Sequence, residues 1–397
     1  VRNPLIYLDY NATTPVDERV LANMLPWFRQ QFGNAASKTH AYGWEAAHAV
    51  KKARLQVASL IQASPENITF TSGATEAINL GIKGLVANWG NKKRRLISWP
   101  TEHKAVLDTL KQCEKAGLEV VYLAVDRNGL PDLQTLKEAL TPDTLLVCGM
   151  LANNESGLLW PIEEISAICR AAGVWFLCDA TQAVGKINVD INTLGVTMLV
   201  GSAHKFYGPK GAGFLYLASG KGMPRLQAQL TGGGHENGLR SGTLNVPAIV
   251  GMGAAAEIAA NLLLQESKRQ QQLRNDFEAE ITTSLPAVTV LSASEKRLPN
   301  TSLLCFDHVA ASALLKELRG FALSMGSACS SADAAPSHVI MAMGYDKKQA
   351  ESCIRLSIGR ETQSADMALV AAALKAAVNK LRAESPAWNY RQQGQGT

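Results

Sequence analysis

Apolar and polar positions along the chain repeat a strand-then-helix pattern. Short apolar runs at 68–71, 95–99, 119–123, 145–150, 175–179 and 196–200 predict strands, and 212–217 adds another. Helical periodicity at 75–88, 103–116, 133–140 and 162–172 fills the gaps between the earlier runs. Such alternation predicts an α/β domain with a mostly parallel central sheet. Ahead of it come a short strand at 5–8, a turn at 9–15 and a helix at 16–32 with Asp17 and Glu18 in its first turn. A second helix at 42–61 sets Ala47, Val50, Ala53, Val57 and Leu60 near one face. Beyond the sheet, 247–274 predicts a long helical connector. Strands at 288–291, 302–306 and 353–358 with helices at 310–319 and 367–381 then predict a smaller α/β domain. The expected division is a large domain over 15–260 and a small one from 1–14 and 261–397.

In sheets of this kind ligands sit beyond the carboxyl ends of the strands. Five polar clusters fall there: Thr71-Ser72-Gly73, Thr101-Glu102-His103, Asn153-Asn154-Glu155, Asp179-Ala180-Thr181-Gln182 and Ser202-Ala203-His204-Lys205. Five clusters on a common rim point to one site.

Composition narrows the classes. With 397 residues, 47% hydrophobic and 18% charged, the chain reads as globular, and a net charge of +5 is too mild for a nucleic-acid-binding surface. The basic run Lys92-Lys93-Arg94-Arg95 reads as a solvated loop before a strand. The apolar tract 249–264 is interrupted by Glu257 and reads as a buried helix rather than a membrane span. The seven cysteines are scattered without a C-x-x-C pair, so neither a zinc site nor a disulfide framework is expected. Cys148, Cys178 and Cys305 sit in apolar runs as small buried thiols. A reducing, cytoplasmic location is expected.

Each polar cluster carries chemistry. Lys205, just past a buried strand among small residues, is either a loop lysine or an amine able to form an imine with pyridoxal phosphate. Asp179 ends an apolar run; it either caps the next helix or pairs with a cation such as a protonated pyridine nitrogen. Gln182 could reach the same ligand. His103 opens a helix as a cap, or as a ring that stacks and moves protons. Thr75, behind Ser72-Gly73-Ala74, opens a helix whose N-terminus suits an anion, or the run is a plain cap with Thr75 or Ser72 as the capping residue. The run is neither a Walker loop nor G-x-G-x-x-G, which disfavours ATP and NAD. Arg355, in a late strand, is a carboxylate grip or a structural ion pair. Cys329, in Gly326-Ser327-Ala328-Cys329-Ser330-Ser331-Ala332, reads as an exposed thiol on a mobile loop at about 325–337, or as a small turn residue.

Taken together, Asp9-Tyr10-Asn11-Ala12-Thr13-Thr14-Pro15, Thr71-Ser72-Gly73-Ala74-Thr75-Glu76, Thr101-Glu102-His103-Lys104, Asp179-Ala180-Thr181-Gln182, His204-Lys205-Phe206-Tyr207-Gly208-Pro209-Lys210-Gly211, Gly232-Gly233-Gly234-His235-Glu236, Arg240-Ser241-Gly242-Thr243 and Gly326-Ser327-Ala328-Cys329 resemble the NifS/IscS-type cysteine desulfurases. The resemblance runs from the first strand to about Trp388. It implies the aspartate-aminotransferase-like fold of pyridoxal-phosphate-dependent transferases. It implies that Lys205 carries the cofactor and moves the α-proton, and that Asp179 pairs with the pyridine nitrogen. Gln182 would pair with the phenolic oxygen, with Asn154 beside the cofactor, and His103 would stack on the ring. Thr75, Ser202 and His204 would hold the phosphate, with Thr243 reaching the site of the neighbouring subunit in a homodimer. Arg355, Asn154 and Asn34 would bind the substrate carboxylate. Cys329 would take sulfur from L-cysteine as a persulfide, release alanine, and pass the sulfur to an acceptor for iron–sulfur assembly or thiolation. No metal, membrane or direct nucleic-acid partner is implied. Other readings are a selenocysteine lyase, another pyridoxal-phosphate enzyme of the same class, or a sulfur-relay subunit with a vestigial cofactor site.

Overall fold

The computed structural model describes residues 5–325, 336–386 and 388–389. Among them the strands are β1 (Ile6–Tyr7), β2 (Ile68–Thr71), β3 (Arg95–Ser98), β4 (Glu119–Tyr122), β5 (Thr144–Met150), β6 (Trp175–Asp179), β7 (Met198–Ser202), β8 (Gly213–Leu217), β9 (Val288–Val290), β10 (Thr301–Phe306), β11 (Phe321–Ala322) and β12 (Cys353–Ser357). Seven form the main sheet, in the order β2-β8-β7-β6-β5-β3-β4. β4, β3, β5, β6 and β7 run parallel; β8 is antiparallel to both β7 and β2. The carboxyl ends of β2, β3, β5, β6 and β7 therefore share one edge.

Parallel strands covered on both faces read as nearly continuous apolar runs, and β5 and β7 are buried throughout. Their side chains still alternate. Leu146, Cys148, Leu177, Met198 and Val200 pack under the helices Ala74–Trp89 and Lys104–Lys115. Val147, Phe176, Cys178 and Leu199 pack on the opposite face, against Ala41–Leu60, Ile162–Ala171 and the start of Val246–Ser284. A smaller antiparallel sheet, β12-β10-β9, builds a second core. There Leu304, Phe306, Ile354 and Leu356 meet Phe277, Ile281, Val370 and Leu374.

The differences from the sequence reading have local causes. The helix expected over 16–32 splits into Glu18–Met24 and Pro26–Arg29, because proline has no N–H to continue the ladder. In Ala41–Leu60 the buried stripe runs through Ala46 and Ala49, while Ala47 faces solvent. The connector continues past Arg274 to Ser284 as one 39-residue helix. By length and composition it could cross a membrane, yet Met252, Ala255, Ala256 and Ala259 are buried inside the protein. β11 and the short helices His338–Ala342 and Lys347–Ala350 carry too little periodicity to be read beforehand. The basic run is the loop leading into β3, with Lys92 and Arg94 exposed, and its side chains also make local bonds. Lys93 donates to the carbonyls of Thr144 and Gly173, Arg94 to that of Gly117, and Arg95 pairs with Glu119.

The cysteine expectation is corrected at one pair. Cys305 and Cys353 stand opposite each other in the β10–β12 register and are joined as a disulfide. Their 48-residue separation hides the pairing, because only the antiparallel register brings them together.

Candidate active site

β7 ends at Ser202 and turns through the single 3-10 turn Ala203–Lys205. The turn carries Lys205 inward, where its Nζ donates to the carbonyls of Asn11 (2.7 Å) and Ala12 (2.8 Å). Lys205 is thus no loop lysine. It borders a cavity of about 460 Å³ at the carboxyl edge of the sheet, together with Thr75, His103, Asn154, Asp179, Gln182, Ser202 and His204. A smaller adjoining cavity of about 70 Å³ shares Lys205, His103, Gln182 and Asn154 and adds Arg355. All five polar clusters converge, as their strand-end positions require.

Two glycines shape the rim. Gly73 has φ 155°, and a Cβ on Gly213 would lie 2.5 Å from the Gly73 Cα. Only glycine at 213 lets the start of β8 pass this close to the turn before the helix Ala74–Trp89. Ser72 N–H donates to Glu76, and Glu76 is held by Arg240 at 2.8 Å.

Asp179, buried at the end of β6, accepts from Thr181 N–H. Behind it Glu102 is fully buried; burial first, and the charge of Asp179 second, push its carboxyl well above the usual range. His103 caps its helix by accepting Ala105 N–H at Nδ1, so the neutral ring carries its proton on Nε2. His204 contacts Thr13 Oγ1. Burial, then the charges of Lys205, Lys210 and Lys186, lower it from 6.5 to about 4. Arg355 reaches from β12 to Asp9 Oδ1 (2.6 Å) and to the Asn154 carbonyl (2.8 Å). The ion-pair reading is realised, and it fixes the guanidinium at the wall of the smaller cavity.

Asn34 does not line the cavity, and Thr243, expected at the site of a neighbouring subunit, lies outside this chain's own. Asn34 is exposed and its Oδ1 accepts from Ala36 N–H, closing its own turn. Thr243 is exposed on the segment after Arg240. Cys329 lies outside the described residues. The described flanks of its segment are tied to the site: Ser324 exchanges backbone hydrogen bonds with Arg355, Ser337 Oγ donates to buried Glu155, and His338 Nε2 meets the Glu102 carbonyl. Sequence reading passed over Asn11, which is almost fully buried and accepts from Lys186, Gln182 and Lys205. Its only signal was its place in the first motif.

The site suits pyridoxal phosphate on its own chemistry. It offers an amine, a buried carboxylate at a strand end, and a tight glycine turn at a helix N-terminus, all on one cavity. Residues 6–370 match the model of the family described as aminotransferase class-V. The chain belongs to the class-V aminotransferase family. Among the relatives of this class-V protein is a cysteine desulfurase IscS of Anaeromyxobacter sp. (strain Fw109-5), 46% identical over 98% of this chain and 96% of the relative. A cysteine desulfurase IscS of Neisseria meningitidis serogroup C is 45% identical over 99% and 97%. A solved NifS-like protein superposes with TM-score 0.88 at 36% identity, covering 94% of this chain and 99% of that one. The solved structure of SspA in complex with cysteine gives 0.79 at 34% identity over 89% and 98%. Pyridoxal phosphate is the cofactor of this class-V site.

His204 makes the cofactor-free protein sensitive to acid. Its folded pKa of about 4 lies below the ordinary 6.5. Between those values the unfolded chain holds the extra proton, so this contribution to stability is complete above 6.5 and falls as pH drops toward 4. Urea unfolding of the cofactor-free protein across that window is expected to show a shallower pH slope for His204→Gln than for wild type. Equal slopes contradict it.

Proposed function

We infer that this chain is a pyridoxal-phosphate-dependent cysteine desulfurase that converts L-cysteine to L-alanine and stores the sulfur on Cys329 as a persulfide. The observation that carries the reading is the convergence of Lys205, Asp179, His103 and Gln182 on one strand-edge cavity, with Arg355 on the cavity beside it. Bound pyridoxal phosphate supplies the electron sink that allows bonds at the substrate's α- and β-carbons to be remade.

The chain's residues do the rest. Lys205 provides the amine that holds the cofactor and takes the α-proton. Asp179 keeps the pyridine nitrogen protonated, and Gln182 meets the phenolic oxygen. His103 flanks the ring as a proton donor and acceptor through Nε2. Thr75, Ser202 and neutral His204 receive the phosphate, joined by Thr243 of a second copy in a homodimer. Arg355 and Asn154 orient the substrate carboxylate, so that the thiol end faces the opening. The Cys329 thiolate attacks the substrate sulfur and the carbon–sulfur bond breaks. The sulfur ends as Cys329–S–SH, and the β-carbon takes a proton and leaves in alanine. A sulfur-acceptor protein then removes the outer sulfur.

Incubation of the cofactor-loaded protein with L-cysteine and a thiol reductant is expected to release alanine and sulfide in equal amounts. Sulfide without alanine, or neither product, rules the reading out. Turnover of L-selenocysteine alone assigns the site to the selenium substrate.

A further inference from the structure

Lys186 takes no part in the chemistry described above, yet it is closely bound to one of the residues that does. Its Nζ donates to Gln182 Oε1 at 2.7 Å and to Asn11 Oδ1 at 2.9 Å. Gln182 Nε2 in turn donates to the Asn11 carbonyl at 2.9 Å. A backbone carbonyl only accepts, so the orientation of the Gln182 amide is fixed at that end. An amine donates whether charged or neutral, so Lys186 fixes it again at the other. Asn11 cannot turn to compensate. Its own Nδ2 is committed to Thr301 Oγ1 and the Asn154 carbonyl, and its Oδ1 also accepts from Asn300.

Lys186 also stands behind the site rather than in it. Gln182 borders both cavities of the site; Lys186 lines neither of them and borders instead a small space of about 20 Å³ that it shares with Lys205, Tyr10 and Tyr207. We propose that Lys186 is a positioning residue that grips Gln182 Oε1 from behind, so that Gln182 presents an N–H donor to the bound cofactor. This rests on the reading of Gln182 as the partner of the cofactor's phenolic oxygen. Burial and the neighbouring charges of Lys205 and Arg355 hold Lys186 well below the ordinary lysine range. A negative group arriving at Gln182 relieves part of that repulsion.

The consequence is spectroscopic. An oriented donor and a nearby amine both favour the more negative, deprotonated form of the bound cofactor. Removing Lys186 therefore raises the pH midpoint of the cofactor's visible absorbance change, by about one pH unit. Lys186→Met and Lys186→Gln are titrated as holoenzymes beside wild type and Lys186→Arg. Both uncharged variants are expected to shift the midpoint upward and Lys186→Arg to restore it; should the Met variant fail to fold, the Gln variant decides. In a Gln182→Ala background, Lys186→Gln is expected to add no more than about 0.3 unit, because the effect runs through Gln182. Unchanged midpoints in the folded variants, or full additivity with Gln182→Ala, overturn the proposal. Neither result touches the cofactor reading, which fails only if wild type itself shows no visible band with pyridoxal phosphate.

Discussion

Lys205→Ala is expected to lose the cofactor's imine absorbance and to cut alanine formation from L-cysteine by roughly 10²–10⁴-fold from lost proton transfer alone. The size follows from where the amine sits. Its Nζ is held by the carbonyls of Asn11 and Ala12, with Asp179 and His103 around the same cavity. Among the described residues, the other lysines at these cavities are committed elsewhere or exposed, as Lys104 is at the smaller one. Lys186 lies behind Gln182, and Lys210, on the rim, is largely exposed in the turn before β8. Lys205→Arg separates the two roles of the side chain. Arginine keeps a donor near the Asn11 and Ala12 carbonyls but forms no imine, so it should be as inactive as alanine. Absorbance of the loaded protein and mass-spectrometric alanine release decide the matter. A Lys205→Ala protein that turned over at the wild-type rate would remove Lys205 from the reaction.

Much of the cavity lining was legible because most of its polar side chains lie at or just past the end of an apolar strand, where the hydrophobic pattern stops and polar residues begin. Asp179 ends β6, Ser202 ends β7, and His103 caps the helix after β3. What escaped the pattern depends on contacts between distant parts of the chain. Asp9 and Arg355 pair across 346 residues, and nothing near either one announces the other. Asn11 joins Gln182, Lys186 and Lys205, which follow strands of the main sheet, to Asn300 and Thr301 at the start of β10 in the smaller sheet. Its role exists only once both sheets are assembled. Cys305 and Cys353 likewise meet only through strand register. The N-terminal helix was misjudged for a local reason, since apolar spacing ran on through Pro26 where the hydrogen-bond ladder could not.

Cys329→Ala is expected to keep the cofactor's colour while alanine and persulfide formation fall by about 10²-fold or more, because the nucleophile that receives the sulfur is gone. The remaining cysteines argue for this by elimination. Of the seven in the chain, Cys113, Cys148, Cys169 and Cys178 are buried free thiols, and Cys305 and Cys353 are joined to each other. Burial pushes the Cys148 and Cys178 thiols well above the usual range, Cys169 up to about 12, and Cys113 upward. A thiol reacts as its thiolate, so these four are poor nucleophiles near neutral pH and have no path to the substrate. Cys148 and Cys178 face helix layers inside the sheet rather than the cavity. That leaves Cys329, whose segment begins and ends on residues bound to the site, through Ser324 to Arg355 and through Ser337 to Glu155. Mass spectrometry of the digested protein after one turnover should find the added sulfur on the Cys329 peptide of wild type and on no peptide of Cys329→Ala. Cys113→Ala, which removes a thiol on the buried face of the helix Lys104–Lys115, should carry the sulfur on Cys329 as wild type does. Sulfur recovered on a different cysteine, with alanine still forming, would transfer the nucleophile's role to that residue while leaving Lys205 and its cofactor in place.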